Sequence, residues 1–526
     1  MNINLVILLS LLSISNGYKI LFLVPFPGPS HWFSLQSFVK ELVNRGHHVT
    51  AIVNKPITAF KSPNYTEILI NPPFDLTTVF SYTDIYDSPE DSNFEKVRAY
   101  ERICTPSSEH GLNNSNVQKI IHSQDLHFDL VINEEMFHES WLMFAYKFNA
   151  PVVTISTYGY SDFFDSAMGL LTPISHVPHM LLPYGDEMTY SQRVFNVILT
   201  VYDRLYRTWV TIPIQNGIAQ RYFGHLAKPG QPLPKVEELY RNISLILVNS
   251  HRTTSKPRPQ MPGVVYVGGA HITPAKPLPA TIQEFIDNSE HGVILFSLGS
   301  LLQSSQLPEA KIQLFLKVFS QLKQRVIWKY EDESLEVPPN VLIKKWLPQS
   351  DILAQPNVVL FITHGGMSGT FEGTARGVPM LFIPFFGDQK RNALKSASNG
   401  NGLLLTFYSI SEDSLSATLD ELLSNSKYNS RAKELARNFN DNLVHPMDEA
   451  MFWIEYVIRS NGAKHLKSSA VNMSLFSYLL LDILVIPIAV LWIVYLLVKL
   501  LLSVKKLKSN DEPRDEQGVT RNKKTK

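Results

Sequence analysis

The stretch that decides the fold runs from Trp346 to Gln389 and reads WLPQSDILAQPNVVLFITHGGMSGTFEGTARGVPMLFIPFFGDQ. Two continuous apolar runs of strand length, 360–363 and 380–383, enclose a segment of helical character that begins near Ser368. Such runs are typical of parallel strands that are buried on both faces. The stretch therefore predicts a strand–helix–strand unit of a doubly wound α/β domain.

The turn between the first strand and the helix predicts an anion-binding site. It consists of His364, Gly365 and Gly366, and the two glycines let the backbone approach a ligand closely. The amides of the first helical turn, near Ser368, and the positive end of the helix dipole point at this turn, which suits phosphate. His364 adds a donor, and Ser300, which follows another apolar run, can add a hydroxyl.

Polar side chains farther along the stretch predict contacts with sugar hydroxyls. Glu372 lies one turn into the helix, where its carboxylate can accept both hydroxyls of a ribose. Asp388 and Gln389 follow the next strand and offer acceptors and donors to a sugar. Taken singly, the glycine pair also fits a plain tight turn and Asp388 fits a helix N-cap. Their joint placement after successive strands favours one ligand site.

The N-terminal half predicts a second domain of the same kind. An apolar run at 19–24, helically spaced apolar residues over 33–43 and a second run at 48–53 form one βαβ unit. The runs at 130–132 and 152–154 predict later strands of the same sheet. The expected fold is α/β, with two Rossmann-like domains that face each other across a cleft, and ligands bind at the carboxyl ends of the strands.

Proline-rich segments at 256–262 and 274–279 separate the two halves. They predict an N-terminal domain over 18–255, a linker over 256–280 and a C-terminal domain with return helices over 281–470.

The segment 158–206 is rich in aromatic residues, Leu and Met, without clear periodicity. Two interpretations stay open for it. It forms the wall of an acceptor pocket or a membrane-facing surface, or it is ordinary helical core.

Composition excludes several classes of protein. The chain has 526 residues, of which 44% are hydrophobic and 18% charged, so it is not a disordered chain. Lys and Arg total 48 against 47 Asp and Glu, a net charge of +1, and a nucleic-acid binder usually shows a basic excess. Cys104 is the single cysteine, which excludes a disulfide framework within the chain and argues against a cysteine zinc site.

The N-terminus predicts a signal peptide over residues 1–17. An apolar run at 4–14 precedes the small-residue site Ser15-Asn16-Gly17. A retained N-terminal anchor is the alternative, although an apolar core of about ten residues is short for crossing a bilayer.

The C-terminus predicts one transmembrane helix over 475–502 and a cytosolic tail over 503–526. The stretch 475–498 carries a single charge, Asp482, and can cross a hydrocarbon core about 30 Å thick. From Val504 onward there are eight basic and four acidic residues, and such a basic flank marks the cytosolic side. Asp482 is either a functional intramembrane carboxylate or a charge tolerated through a partner helix or local water.

Short motifs extend this topology. Lys523 and Lys524 resemble the dilysine signal for retrieval to the endoplasmic reticulum, and an ordinary solvated basic tail is the alternative. Sequons at Asn64, Asn113 and Asn242 predict glycosylation of a lumenal body.

The order of these motifs resembles the UDP-glycosyltransferases, above all the membrane-bound UDP-glucuronosyltransferase group of animals. The shared pattern is WLPQ, FITHGG, a Glu inside the next helix, GVPM, IP and a final DQ. The segments at 257–269, 293–300 and 462–466 also resemble that group, so the similarity covers essentially the whole chain. The resemblance implies a glycosyltransferase fold of the B type, in which the C-terminal half holds the nucleotide sugar and the N-terminal half the acceptor.

The resemblance also assigns roles in binding the donor. It implies that Trp346 stacks on uracil and that Gln349 bonds the uracil edge or the ribose. It places Glu372 on the ribose, and Asp388 and Gln389 on the donor sugar.

The same resemblance implies that Ser300, His364 and the turn from Gly366 to Ser368 bind the diphosphate. Vertebrate relatives often have Asn where Ser368 stands, and the serine hydroxyl has a shorter reach. Arg258 matches a position that resembles a sugar- or phosphate-contacting arginine, and a surface charge is the alternative for it.

On the acceptor side, His31 is the candidate general base because it follows the first strand and its Pro-Gly loop. Its second ring nitrogen needs an acidic partner, which the family supplies shortly after a strand that begins with Phe-Asp. Alignment on Phe128-Asp129 places Glu134 at that position, where vertebrate relatives have Asp.

The resemblance implies direct displacement at the anomeric carbon with inversion, without a metal and with no cofactor besides the UDP-sugar. The expected partners are UDP-glucose or UDP-glucuronic acid, a small lipophilic acceptor and the membrane of the endoplasmic reticulum. Glucose is favoured as the donor sugar because Glu134 and the HGGMSG turn resemble invertebrate members of the family, which mostly use glucose. Relatives also commonly self-associate. The competing class is a membrane-anchored binding protein that has lost catalysis.

Overall fold

The computed structural model describes residues 17–71, 92–185 and 187–510, and the chain divides into two units, residues 1–471 and 472–526. Most of the predicted signal peptide and the Lys523-Lys524 motif lie outside the described residues.

The first half of the larger unit is built on a parallel sheet. Its strands are β1 (Lys19–Leu23), β2 (His48–Val53), β3 (Tyr65–Leu69), β4 (Leu130–Glu134), β5 (Val152–Ser156), β6 (Leu245–Val248) and β7 (Val264–Tyr266). In the described residues they form seven strands in the order β3-β2-β1-β4-β5-β6-β7. The central strands β4 and β5 are buried at every position, as their continuous apolar runs predict.

Helices cover this sheet on both faces. They are α1 (Pro29–Asn44), α2 (Asn93–Asn113), α3 (Ser115–His122), α4 (Met143–Phe148), α5 (Asp162–Ala167), α6 (Tyr190–Tyr206), α7 (Ile212–Phe223) and α8 (Val236–Arg241). Helix α1 begins with proline at its first position and buries Trp32, Leu35 and Phe38 against the sheet. Phe33, which the helical spacing assigns to the same apolar face, is instead 52% exposed.

The second half repeats the architecture. Its strands β8 (Val293–Ser297), β9 (Arg325–Lys329), β10 (Val341–Lys344), β11 (Val358–Thr363), β12 (Met380–Phe382) and β13 (Gly402–Leu404) pair in parallel in the order β10-β9-β8-β11-β12-β13. Its helices are α9 (Ala280–Asp287), α10 (Glu309–Ser320), α11 (Gln349–Leu353), α12 (Met367–Arg376), α13 (Gln389–Asn399), α14 (Glu412–Ser424) and α15 (Ser426–Asn440). The prediction of two Rossmann-like domains is confirmed.

The boundary between the halves is less simple than a linker. The stretch 256–280 contains β7, which pairs with β6 as the last strand of the first sheet. A short buried edge strand tolerates proline neighbours, because the prolines lie outside the ladder. Helix α16 (Pro446–Arg459) then returns to the first domain, where it contacts β6 and α1 and adds Met447, Met451 and Ile454 to the core.

The segment 158–206 contains both buried core and an exposed apolar face. Helix α5 is largely buried core. Helix α6 carries an exposed apolar face, on which Tyr190, Val197, Ile198 and Val201 are 76%, 41%, 49% and 46% exposed.

The smaller unit contains α17 (Leu475–Tyr478) and α18 (Leu481–Asn510). The stretch 481–506 contains an 18-residue window with a mean hydropathy of 2.7 and is long and apolar enough to cross a membrane. At 1.5 Å per residue these 26 residues extend about 39 Å. The apolar helix therefore begins six residues after the predicted start at 475 and continues past 502.

Candidate active site

A cleft of about 1410 Å³ lies in the larger unit, at the carboxyl ends of strands from both sheets. Parallel strands bring the residues that follow them to one edge, which is where α/β folds bind ligands. The predicted site residues that line the cleft are His31, Ser300, Trp346, Gln349, His364, Gly366, Ser368, Glu372, Asp388 and Gln389.

His31 and Glu134 form a hydrogen-bonded pair. His31 lies in the first turn of α1, and Glu134 is the last residue of β4. His31 Nδ1 is 2.6 Å from Glu134 Oε1, although 103 positions separate the two residues in sequence. The hydroxyl of Thr157, which follows β5, lies 2.8 Å from the same nitrogen. Thr157 is not among the residues predicted from the sequence, and its one signal there is its place directly after a strand.

The geometry selects one tautomer of His31. Glu134 occupies Nδ1, so the proton on that nitrogen is held there and Nε2 keeps its lone pair. The side chain of Glu134 is fully buried, and this burial raises the pKa of the carboxyl, while the bond to His31 opposes the rise. A neutral His31 beside this buried acid is able to accept a proton from a hydroxyl in the cleft.

The ring of His364 lies between two glycines. A Cβ on Gly299 would be 2.6 Å from His364 Cε1, and a Cβ on Gly366 would be 2.5 Å from His364 Nε2. Gly299 also has a φ of +86°, in the region that favours glycine. The glycine of the predicted turn therefore makes room for the imidazole, besides exposing its own backbone.

His364 is held as a neutral ring. Burial, aided by the charge of Lys329, lowers its pKa to about 4. Within the described part of the chain, His364 Nδ1 and Ser300 Oγ are buried atoms without a hydrogen-bond partner. An unsatisfied buried polar atom costs about 1–3 kcal/mol, so a ligand oxygen in the cleft would stabilise both.

Lys329 is a cleft residue that sequence analysis did not find. It ends β9, its side chain is only 10% exposed, and its Nζ lies 2.5 Å from Glu331 Oε1. A lysine at the end of a buried apolar strand is the signal that points to it.

Glu372 and Gln349 contact each other across the donor side of the cleft. Gln349 Nε2 donates to Glu372 Oε2 at 2.5 Å. The pKa of Glu372 is raised to about 7, mainly by burial and to a smaller extent by the charge of Asp351. The hydrogen bond from Gln349 and the charge of Arg376 oppose this rise. Near neutral pH the side chain of Glu372 therefore changes between a carboxylate, which only accepts hydrogen bonds, and a protonated carboxyl, which also donates one.

This titration predicts a pH-dependent affinity for UDP-glucose, whose phosphodiester charges are constant between pH 5.5 and 9. If Glu372 accepts ribose hydroxyls, binding requires the carboxylate. We expect the Kd to be constant above about pH 8 and to rise by up to about tenfold per unit below pH 7. Calorimetric titration checks this, and the same profile in Glu372→Gln would contradict the assignment.

Two contacts join the halves across the cleft. The indole of Trp346, predicted to stack on uracil, is 54% exposed and stacks on Phe33, with ring centroids 5.1 Å apart. The hydroxyl of Ser368 lies 2.9 Å from that of Ser34 on α1. The first turns of α1 thus lie directly against the predicted nucleotide site, which explains why Phe33 is not part of the core.

Asp388 and Gln389 lie at the start of α13. Asp388 occupies the N-cap position without a side-chain capping bond and accepts from Asn392 Nδ2 at 2.8 Å. Gln389 Oε1 accepts from the backbone amides of Phe385 and Phe386 at 2.8 and 3.2 Å. Gln389 therefore also shapes the loop after β12, which orders this wall of the cleft.

Arg258 is held away from the other predicted donor residues. Its guanidinium donates to Asp165 at 3.0 Å and lies 3.6 Å from the ring centroid of Tyr160. Its side chain is 12% exposed, so the alternative of a solvated surface charge does not describe it either.

The remaining predictions concern glycosylation and metal. Asn113 and Asn242 are exposed, and Asn64 is half-buried. Across the described ranges, no group of three or more His, Cys, Asp or Glu side chains is arranged to hold a metal ion.

The fold and the cleft define a class of protein. The chain is similar to the crystal structure of the glycosyltransferase VinC in complex with DTDP, with a TM-score of 0.57 at 16% identity, over 84% of this chain and all of the other. It is similar to the glycosyltransferase of kitacinnamycin with a TM-score of 0.55 at 19% identity, over 84% and 99% of the two chains. At these identities the likeness establishes the fold, which is that of B-type glycosyltransferases.

Sequence similarity narrows the class to a family. The family model described as "UDP-glucoronosyl and UDP-glucosyl transferase" matches residues 19–511. The chain is 34% identical to UDP-glucosyltransferase 2 of Dactylopius coccus, over 90% of each chain, and 30% identical to UDP-glucuronosyltransferase 2B7 of Homo sapiens, over 86% and 87%. The chain belongs to this family and is a UDP-glycosyltransferase.

Proposed function

We propose that the enzyme transfers a hexose, glucose in preference, from a UDP-sugar to a hydroxyl of a small lipophilic acceptor, with inversion. The observation that carries the proposal is the pair of His31 and Glu134, 2.6 Å apart at the cleft. Such conjugation suits a role in detoxification or metabolite modification.

The chemistry follows from the tautomer of His31. Nε2 takes the proton from the acceptor hydroxyl while that oxygen forms a bond to the anomeric carbon. The bond from that carbon to UDP breaks, and UDP leaves with the electron pair. Glu134 stabilises the imidazolium. Because attack and departure occur on opposite faces of the sugar, an α-linked donor gives a β-glycoside.

Groups of the protein itself stabilise the negative charge of the leaving UDP. The amide groups that open α12, together with His364, Ser300 and Lys329, line this part of the cleft. Preorganised donors and a cation stabilise the charge that develops on a departing diphosphate. These groups support a reaction that proceeds without a divalent metal.

The lining near His31 supports a lipophilic acceptor. Phe26, Met136, Tyr158 and Leu181 line the same cleft as the imidazole. Apolar and aromatic walls with few polar groups are typical of sites for small apolar molecules.

The surroundings of Arg258 support glucose as the donor sugar. A glucuronate carboxylate favours a nearby cation, and this arginine is already paired with Asp165 at 3.0 Å. UDP-glucuronic acid is the alternative donor.

Membrane residence is supported by residues 481–506 and by the apolar face of α6. We place the body in the lumen of the endoplasmic reticulum, with Tyr190 and Trp209 at the lipid surface, where such rings concentrate. Protease added outside sealed microsomes then removes only the tail, and digestion of the body would refute the lumenal placement.

An acceptor panel tests the proposed reaction. Microsomes that contain the chain are incubated with labelled UDP-glucose or UDP-glucuronic acid and with phenols, sterols and aliphatic alcohols, with and without EDTA. We expect β-glucosides from UDP-glucose at a rate that EDTA does not change. Product from UDP-glucuronic acid alone would overturn the donor, and loss of turnover in EDTA would overturn the metal-independent mechanism.

A further inference from the structure

His271 is a buried histidine at the edge of the donor site that the proposed mechanism does not use. It follows the turn after β7 and lines the cleft, and its side chain is 11% exposed. Its Nε2 lies 4.0 Å from Glu372 Oε1, too far for a hydrogen bond. Among the residues that the structure describes, no hydrogen-bond partner reaches this nitrogen.

Two glycines hold His271 against the helix that carries Glu372. A Cβ on Gly268 would lie 2.6 Å from the carbonyl oxygen of Ser250 and 2.8 Å from the ring of Phe371. Gly269 has a φ of +89°, which favours glycine. The turn therefore packs on α12, and the ring of His271 lies close to the backbone of Ser368 in the first turn of that helix.

The two side chains present two acceptor atoms side by side. Burial lowers the pKa of His271 to about 4, so the ring is neutral near pH 7. Nε2 has no hydrogen-bond partner among the described residues, and with the ring proton on Nδ1 it presents a lone pair. Glu372 Oε2 is occupied by Gln349, which leaves Oε1 facing Nε2. Two acceptors 4.0 Å apart suit two neighbouring hydroxyls, each donating to one of them.

We propose that His271 Nε2 and Glu372 Oε1 together bind the cis-diol of the donor ribose, one hydroxyl each. The inference rests on the proposed function, with a UDP-sugar as the donor, and on the assignment of Glu372 to the ribose that the family resemblance implies. It makes His271, which follows the first domain's last strand, a binding residue that completes the nucleotide site of the second domain. It also accounts for a buried ring nitrogen that would otherwise cost about 1–3 kcal/mol.

Deoxynucleotides test this assignment atom by atom. Calorimetry gives the Kd of UDP, 2′-deoxy-UDP and 3′-deoxy-UDP for the full chain in detergent, for His271→Phe and for Glu372→Gln. We expect the native enzyme to bind each deoxy nucleotide about five- to tenfold more weakly than UDP, since one hydrogen bond contributes about 1 kcal/mol. His271→Phe should weaken UDP binding by about the same factor. This variant should also bind one of the two deoxy nucleotides as tightly as it binds UDP.

A conservative variant separates binding from packing. His271→Gln places an amide oxygen near the position of Nε2 and should retain the affinity for UDP within about threefold. Equal weakening of all three nucleotides in His271→Phe would overturn the proposal, because it would mark a structural role. Full discrimination against both analogues in that variant would also overturn it.

Failure of this inference is distinct from failure of the proposed function. If native enzyme binds UDP with ribose discrimination but glycosylates no hydroxyl acceptor, the proposed reaction is wrong and the ribose site stands. If it glycosylates acceptors but binds both deoxy nucleotides as tightly as UDP, the ribose site is wrong and the reaction stands. Should His271→Phe not fold, the comparison of native enzyme with His271→Gln decides.

Discussion

Replacing His31 with alanine is expected to lower kcat by about 10²- to 10⁴-fold while the Kd for UDP-glucose stays nearly unchanged. The imidazole, which contacts a buried carboxylate, is the proposed base, and most residues of the proposed nucleotide site lie on the other domain. The loss therefore falls on the chemical step. Single-turnover rates with saturating acceptor measure it.

Graded variants of its partners sharpen this test. Glu134→Gln leaves the imidazole in place but removes the charge that stabilises the imidazolium, so we expect a loss approaching that of His31→Ala. Thr157→Ala removes one neutral contact at 2.8 Å and should cost about tenfold or less. His48→Ala, at an exposed position of β2, is the matched control and should behave as native enzyme. Near-native turnover in His31→Ala would show that another group takes the proton.

Replacing Gly299 with alanine is expected to weaken UDP-glucose binding by about 10- to 100-fold. The added Cβ would lie 2.6 Å from the ring of His364, which must then leave its place. A lost hydrogen bond to a charged phosphate corresponds to about 1.5–3 kcal/mol. The φ of +86° adds a strain of about 1–3 kcal/mol to the folded state. Calorimetry measures the first effect and thermal unfolding the second.

Gly230 offers a control that separates the two effects of this substitution. Its φ is +76°, and in the described structure nothing lies within 4 Å of the position of an added Cβ. Gly230→Ala should therefore lose stability in the same way and bind UDP-glucose as native enzyme does. Native affinity in Gly299→Ala would show that the His364 ring does not contact the diphosphate.

Much of the site follows from the order of strands and turns. The residues after β8, β11 and β12 were predicted to meet because carboxyl ends of parallel strands share an edge, and Ser300, His364 and Asp388 do line one cleft. The helix predicted near Ser368 begins at Met367, with Gly366 as its N-cap. Local pattern suffices here because chain direction and period determine which side chains reach the edge.

Contacts between the two halves could not be predicted from the sequence pattern. The stacking of Phe33 on Trp346, the bond between Ser34 and Ser368 and the approach of His271 to Glu372 each join residues more than 100 positions apart. Their formation depends on how the two halves of the larger unit are positioned across the cleft. The pairing of Arg258 with Asp165 could not be predicted from the sequence either, because it follows from the packing of α5 and not from the neighbours of Arg258 in sequence.

The amino-acid sequence by itself determined two doubly wound domains, a long apolar helix near the C-terminus, and a glycine-rich turn at the end of a buried strand, because hydrophobic period and turn chemistry act within a few residues. The tertiary structure alone decided which polar atoms face each other across the cleft. It placed Glu134 on Nδ1 of His31, seated the His364 ring between Gly299 and Gly366, and left His271 Nε2 beside Glu372. These outcomes depend on burial and on distances of a few ångströms between remote segments, which close packing of the whole unit sets.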